Sequence, residues 1–290
     1  MSQNIPEWLA PVSLEEALEL RARLGDEATV VAGGTFIGIL MNQRIIAPQV
    51  LLSLRNVSEL AFIEPGQDDG RNQGDRKGLP LRIGAMTTHR AVERSPVVRQ
   101  DWPIIAYTFS LVASPRVRNQ ATVGGVLADA DYASDPPALL QALNATVIAR
   151  SLKNGEREIP LDELITGYYE TSLRVDELLV EVRIAGNVEH AVYRKFRSRS
   201  SEDRPCVAVA AAKVDGKLRV VVGAVADRPQ YFPEICTLAD GQQVDRELAS
   251  EVGRRYAESI DTISDSRGSA EYRRRVIAVE VRRALEEMNP

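Results

Sequence analysis

The chain has 290 residues, enough for two modest domains or for one domain with an appended lobe. Hydrophobic residues are 44% and charged residues 27%, an ordinary globular balance, and a net charge of -5 without any basic tract argues against a nucleic-acid binder. Two cysteines, Cys206 and Cys236, make neither a disulfide framework nor an iron–sulfur site, and two distant histidines, His89 and His190, make no zinc set.

The first residues, Met1-Ser2-Gln3-Asn4-Ile5-Pro6, lack the basic start and apolar core of a signal peptide, and no apolar run is long enough to be a transmembrane segment. The expectation is a cytoplasmic chain with no metal of its own. Ser13-Leu14-Glu15-Glu16 fits a capping box, Ala17, Leu20 and Leu24 then share a helical face, and Gly25 offers a stop. A short β-rich run, Thr29 to Ala32, ends at Gly33-Gly34. A helix from Phe36 to Asn42 and a strand from Val50 to Leu54 follow.

Ala61-Phe62-Ile63 and Leu81-Arg82-Ile83 read as strands around a long exposed hairpin loop, Glu64 to Pro80, rich in Gly, Asp, Arg and Gln. Thr88 caps a helix through Arg94, and Pro103 to Val112 forms another. The second glycine pair, Gly124-Gly125, lies within Ala121 to Ala128. Pro137 starts a short helix ending near Leu143, and strands follow at Thr146–Ala149 and Leu178–Ile184. After Gly186-Asn187 the pattern changes: Ala191–Arg197, Cys206–Val214 and Leu218–Val225 read as three antiparallel strands, and two helices close the chain. In the last, Ile277, Val281, Leu285 and Met288 form one apolar face. Strands followed by helices predict an α+β C-terminal domain.

The chemistry lies in the glycine pairs. A strand ending in Gly-Gly presents bare backbone N–H groups, which bond phosphate oxygens at close range. Thr35 adds a hydroxyl beside Gly33-Gly34, and a helix opening just after it aims its positive end at an anion. Gly124-Gly125 repeats the device behind Thr122, so the two loops are placed to grip a pyrophosphate from two sides. Either pair alone reads equally well as a tight turn needing positive φ. Neither fits Gly-x-Gly-x-x-Gly, and no Walker A pattern exists.

Three segments occur in order: Ala32-Gly33-Gly34-Thr35-Phe36-Ile37-Gly38, then Arg82 to His89, then Ala121 to Gly125 with Ala133-Ser134-Asp135. Together with Ser264-Asp265-Ser266-Arg267-Gly268-Ser269-Ala270-Glu271-Tyr272-Arg273-Arg274, they closely resemble the FAD-binding medium subunit of the molybdenum hydroxylases, the family of carbon monoxide dehydrogenase and xanthine dehydrogenase. The resemblance spans essentially the whole chain. It implies an α+β, vanillyl-alcohol-oxidase-like (PCMH-type) FAD-binding fold over 1–186, with subdomains of about 1–58 and 59–186. A C-terminal antiparallel sheet-and-helix domain would cover 187–290.

It further implies that Ala32, Gly33, Gly34, Thr35 and Phe36, with Thr122, Val123, Gly124, Gly125 and Val126, cradle the pyrophosphate. Asp135 would bind the adenosine side, Val112, Leu179 and Lys195 would make further FAD contacts, and Tyr193 would lie against the isoalloxazine. Read from the residues alone, Asp135 also suits a helix cap, Lys195 a solvated strand face, and His89 and Cys206 structural places. Many relatives carry His-Ser where this chain has Thr35-Phe36, and Asn where it has Val126. Backbone donors survive both changes, whereas a side-chain amide contact from position 126 does not.

The implied work is electron relay. A molybdenum-pterin cofactor on a large partner subunit would oxidise a substrate, 2Fe-2S clusters on a small partner subunit would carry the electrons, and FAD on this chain would pass them to an external electron acceptor. The implied assembly is a dimer of heterotrimers. Two other readings stay open: a stand-alone flavin oxidoreductase of the same fold, and a non-catalytic nucleotide-binding module.

Overall fold

Ser13 opens the first helix by accepting the Glu16 N–H at 3.2 Å, half of the capping box. The other half is displaced by one residue: Glu16 Oε2 accepts the N–H of Val12 at 2.8 Å. The computed structural model describes residues 5–65, 80–184, 186–200 and 203–288. It starts with β1 (Glu7–Leu9), α1 (Leu14–Leu24), β2 (Ala28–Val31), α2 (Ile37–Asn42) and β3 (Val50–Ser53). Gly25, at φ +51°, ends α1. The buried face of α1 is Ala17 and Leu18, packed on Leu54, Val57, Leu60 and Ile148. The expected partners Leu20 and Leu24 are only half-buried, the helix turning Ala17 and Leu18, with Leu14 beside them, to the core instead. The strands pair in parallel in the order β1-β3-β2.

The second unit begins with β4 (Ile63–Pro65) and β5 (Leu81–Gly84), antiparallel with Ile63 opposite Ile83. The loop expected between them falls mostly at 66–79, outside the described residues. Six helices follow: α3 (His89–Arg94), α4 (Pro96–Asp101), α5 (Pro103–Ser110), α6 (Pro115–Arg118), α7 (Val123–Ala128) and α8 (Asp135–Ala142). Thr88 caps α3 as expected, accepting from the N–H of Ala91 at 3.1 Å. Pro96, Pro103 and Pro115 each open a helix, where a missing N–H costs no bond.

Then come β6 (Thr146–Ser151), β7 (Gly155–Pro160), α9 (Leu161–Leu164), β8 (Ile165–Gly167), β9 (Glu170–Thr171) and β10 (Leu178–Ile184). The sheet order is β4-β5-β10-β6-β7, all antiparallel. Central β10, Leu-Leu-Val-Glu-Val-Arg-Ile, is almost wholly buried and legible from sequence. Edge strand β7, Gly-Glu-Arg-Glu-Ile-Pro, is not, because charge on an exposed edge erases the apolar signal.

The third sheet is β11 (Val188–Phe196), β12 (Val207–Val214), β13 (Lys217–Gly223) and β14 (Gln230–Tyr231), in that order, antiparallel throughout. It has four strands rather than the expected three, since β14 is too short to carry a pattern. β12 is buried on both sides. Ala208, Ala210 and Ala212 join the core shared with α8, while Val207, Val209 and Ala211 join the core under the last helices. After α10 (Pro233–Cys236), the helices α11 (Arg246–Ser259) and α12 (Ala270–Met288) cover that second face. Ile277, Val281 and Leu285 are buried as expected, and Met288 packs at the end of the row. Gly253 lets α11 approach α12: a Cβ there would stand 2.5 Å from the carbonyl oxygen of Ala278.

Arg273, on the same helix, is 0% exposed. Its guanidinium donates to the carbonyls of Cys206, Ile263 and Gly268 and to Asp265 Oδ1, the last at 2.7 Å. Arg273→Met would fit the space but remove the one cation these four acceptors share, leaving Asp265 Oδ1 and the Gly268 carbonyl only the N–H groups of Arg267 and Asp265. We expect it to lower stability by about 3–5 kcal/mol, read as a fall in the urea midpoint at unchanged slope. A midpoint like the parent's would show that the buried cation contributes nothing net.

Candidate functional site

β2 ends at Val31, and the next residues cross the top of the parallel sheet. A Cβ at Gly33 would overlap the carbonyl oxygen of Gln120, and Gly34 adopts φ +70°. The backbone N–H groups of Gly33, Gly34, Thr35 and Phe36 have no partner among the described residues, whereas that of Gly38 bonds to the carbonyl of Gly34 at 2.9 Å. Phe36 stacks on Tyr169, with ring centroids 5.7 Å apart and planes at 14°.

The second pair is built differently from the sequence expectation. Gly124 and Gly125 do not follow a strand; they lie in the first turn of α7, which Thr122 caps. Their donors are bonded within the chain. The N–H groups of Val123 and Gly124 reach the carbonyls of Thr87 and Ala85 at 2.9 and 2.8 Å, and that of Gly125 reaches Thr122 Oγ1 at 3.0 Å. A Cβ at Gly124 would lie 2.6 Å from that of Ala85. Gly124 thus serves close packing of α7 on the 85–87 turn, and neither Gly124 nor Gly125 has positive φ. Among the four glycines, the positive-φ reading holds for Gly34 alone.

Both loops open on one groove of about 980 Å³. Ala32, Gly33, Gly34, Thr35 and Phe36 line it from one side, and Thr122, Gly124, Gly125 and Val126 from the other. Val112, Asp135, Leu179 and Lys195 also face it, brought together from four separate elements or loops. Val112 is held there by Arg118, whose Nη1 donates to the carbonyls of Val112 and Ala113, both at 2.8 Å. Two expected residues do not line the groove. Val123 is fully buried in the core. Tyr193 is 4% exposed, and its hydroxyl donates to Asp135 Oδ1 at 2.8 Å, behind the groove wall.

Asp135 Oδ2 accepts from Lys195 Nζ at 2.9 Å, and Lys195 also donates to the carbonyl of Leu111 at 2.9 Å. Burial pushes the Asp135 carboxyl up, while Lys195 and the Tyr193 hydroxyl pull it down. Asp135 therefore enters the groove wall as the centre of a buried polar cluster. It makes no cap bond to α8, and Lys195 is no solvated strand residue.

Several wall residues carry no sequence signal strong enough to single them out. Asp129 and Asp131 follow α7 and face the groove. Burial, and next the charge of Asp131, push the Asp129 carboxyl up to about 7 against the opposing Arg204. Arg204 pairs with Asp131 at 2.8 Å. Arg21 donates to the carbonyls of Gly25 and Ala28 at 2.7 and 3.0 Å. Arg21, Lys195 and Arg204 are each engaged by groups of the protein, while Arg174 lines the groove as an exposed residue; the row of open N–H groups at 33–36 is the anion-binding feature built from backbone. Such a backbone nest, with no Cβ on two of its residues, fits the pyrophosphate of a dinucleotide. The alternating Ala-Asp-Ala-Asp of 128–131 was the one available hint to this wall.

Residues 3–187 match the family described as the FAD binding domain in molybdopterin dehydrogenase, and residues 191–288 match the CO dehydrogenase flavoprotein C-terminal domain. The chain is 32% identical to the nicotine 6-hydroxylase medium subunit of Paenarthrobacter nicotinovorans, over 97% of this chain and 96% of that one. Against the carbon monoxide dehydrogenase medium chain of Afipia carboxidovorans, identity is 30% over 95% of this chain and 94% of that one. Among solved structures, a chain of quinoline 2-oxidoreductase from Pseudomonas putida 86 superposes with a TM-score of 0.87 at 29% identity, covering 99% of this chain and 98% of that chain. A chain of reconstituted CO dehydrogenase from Oligotropha carboxidovorans superposes with a TM-score of 0.89 at 28% identity, covering 99% of each.

The chain belongs to the FAD-binding flavoprotein family of the molybdopterin dehydrogenases. It is of the medium-subunit type, an FAD-binding, electron-transferring component of a multi-subunit oxidoreductase. Among the described residues, no helix is long and apolar enough to cross a membrane.

His89 lies between the two loops, 1% exposed. Its Nε2 donates to the carbonyl of Thr122 at 3.2 Å, and Nδ1 has no partner among the described residues. Burial lowers the imidazole from its ordinary 6.5 to about 4, helped by Arg118 and opposed by the Thr122 bond. The unfolded chain therefore binds a proton that the folded chain refuses as pH falls below 6.5. This stabilisation is present above that value and is lost as pH falls through the folded value, about 3 kcal/mol in all. In His89→Gln, which keeps a donor for Thr122, the stability lost between about pH 7.5 and 4.5 should shrink by most of that amount. Urea midpoints at the two pH values measure it; an unchanged difference would show that His89 is not what carries the acid sensitivity.

Proposed function

We propose that this chain receives electrons from 2Fe-2S clusters on a small partner subunit and releases them from FAD to an external acceptor. The substrate is oxidised at a molybdenum-pterin cofactor on a large partner, and the complex is a cytoplasmic dimer of heterotrimers. The carrying observation is the row of open N–H groups at 33–36 above a groove shaped by two interlocked glycine loops. When bound, FAD supplies the exchange between two-electron and one-electron steps.

The chain's own residues bind and orient. Gly33 to Phe36 offer backbone N–H groups to the pyrophosphate oxygens, and Thr122, Gly124, Gly125 and Val126 supply a bare opposing wall. Val112 and Leu179 give apolar contact. Asp135 and Lys195 present a polar pair whose geometry Tyr193 fixes from behind. Tyr193 acts in this reading through Asp135 and not by lying on the isoalloxazine. The groups that exchange protons with the substrate belong to the large partner.

Two expectations follow. The purified chain should carry about one non-covalent FAD and, by itself, neither hydroxylate substrate nor hold stoichiometric iron or molybdenum. Chromatography of the heat-released chromophore and metal analysis test both. Release of FMN alone would defeat the pyrophosphate reading of the groove, and hydroxylation by the isolated metal-free chain would defeat the subunit assignment and favour the stand-alone enzyme. Folded protein without any flavin affinity would favour the nucleotide-binding module.

The nest itself is tested by paired substitutions. Gly34 and Gly155 both have positive φ, but Gly155 opens β7 just after the β6–β7 turn, where a Cβ would meet nothing within 4 Å. Gly34→Ala and Gly155→Ala should cost similar folding stability, about 1–2 kcal/mol. Only Gly34→Ala should also weaken FAD, by about 100-fold if two charge-assisted bonds are lost. FAD titration of the folded apo-variants decides it, and parental affinity in Gly34→Ala would reduce the first loop to a turn.

A further inference from the structure

One groove wall is built from residues 129–135, between α7 and α8, with Asp129, Asp131, Ala133, Ser134 and Asp135 facing inward. The segment has no regular structure before Asp135 and few bonds of its own: the N–H groups of Ala133 and Ser134 reach Asp131 Oδ1 and the Asp131 carbonyl at 3.1 and 3.0 Å. It is also strained, since fully buried Ala130 adopts φ +47°. Two further non-glycine residues in the left-handed region hold it from outside. Tyr169, at φ +58°, donates its N–H to the carbonyl of Ala130 at 3.2 Å, and Ala224, at φ +66°, donates to the carbonyl of Tyr132 at 3.1 Å. Conformations of this kind persist only where the surroundings over-determine them.

Tyr132 is where those surroundings converge. It does not line the groove, but its hydroxyl donates to Asp265 Oδ2 and accepts from Arg267 Nη2, both at 3.0 Å. The Arg267 guanidinium also lies 5.6 Å from the centre of the Tyr132 ring. Asp265 is itself fixed: its Oδ1 accepts from Arg273 Nη2 and from the N–H of Arg267, both at 2.7 Å. A continuous bonded path thus runs from the buried cation of α12, through Asp265 and Arg267, to the irregular wall of the groove.

We propose that Tyr132 is a positioning residue through which the 264–270 loop of the C-terminal part sets the groove wall at 129–135, and with it FAD affinity and the flavin's environment. The inference rests on the FAD reading of the groove. It follows from preorganisation: an irregular, strained wall contributes to binding only to the extent that it is held in its bound shape before the ligand arrives. It also gives the C-terminal part a task beyond covering apolar surface, since the groove's shape depends on a loop that does not line it.

The test uses the full-length apo-chain, FAD titration by fluorescence quenching, and visible circular dichroism of the bound flavin. Tyr132→Phe keeps the ring and loses both hydroxyl bonds, and Arg267→Met removes the donor. Each should weaken FAD by about 3- to 10-fold, the effect of losing one or two ordinary hydrogen bonds, and alter the dichroic band. Because hydroxyl and guanidinium act as one unit, the double variant should bind no worse than the weaker single one. Tyr256→Phe is the control. It removes a buried hydroxyl bond to the Val220 carbonyl in the C-terminal core, so it should lower the urea midpoint and leave FAD affinity within about twofold. Should Tyr132→Phe fail to fold, Arg267→Met carries the same expectation. Parental affinity and an unchanged band in the folded Tyr132→Phe or Arg267→Met variant would overturn the inference while leaving the groove reading intact. A parent chain that binds no FAD would overturn both.

Discussion

At Gly33 the chain runs so close to the backbone at Gln120 that no side chain can stand between them. The constraint is one of space, and much follows from it. The 120–126 segment can reach the first loop because Gly33 gives way, and α7 can settle on the 85–87 turn because Gly124 does the same. With the second loop's donors bonded inward, the first loop is left with open N–H groups facing the groove. The two glycine pairs, similar in sequence, thus divide the work: one makes contact between segments possible and presents donors, the other closes the packing.

Charge in the groove is arranged by pairing. Lys195 meets Asp135, Arg204 meets Asp131, and Arg21 meets backbone carbonyls. A buried pair is a poor source of net stability, because desolvation offsets attraction. Its value here is geometric, since Lys195, Tyr193 and Asp135 fix one another's positions on the wall. The open N–H groups at 33–36 remain on the groove as fixed backbone dipoles.

The C-terminal part belongs to this arrangement as much as the glycine loops do. β12 could not be sandwiched between α8 and α12 with larger side chains, and its run of Ala and Val is what lets the third sheet press against the second unit. That contact delivers Tyr193 and Lys195 to Asp135, and Ala224, Asp265 and Arg267 to Tyr132. The FAD-binding region and the C-terminal region meet through these specific bonds, at the wall of the groove.

The sequence by itself determined the elements whose cause is local. Ser13 and Thr88 cap helices through their own hydroxyls, β10 is continuous apolar chain, and α12 shows its buried row at helical spacing. Motif order was also enough to reach the family, and most of the residues it singled out do share one groove. Tertiary structure decided what depends on neighbours distant in the chain. The charged edge strand β7 and the two-residue β14 exist only by pairing. Whether a glycine offers its N–H outward or packs it inward depends on which backbone passes by, and nothing in the spacing of Gly-Gly records that. Likewise Tyr193 and Asp135 are 58 residues apart, so only the docking of the third sheet shows that the tyrosine supports the wall from behind.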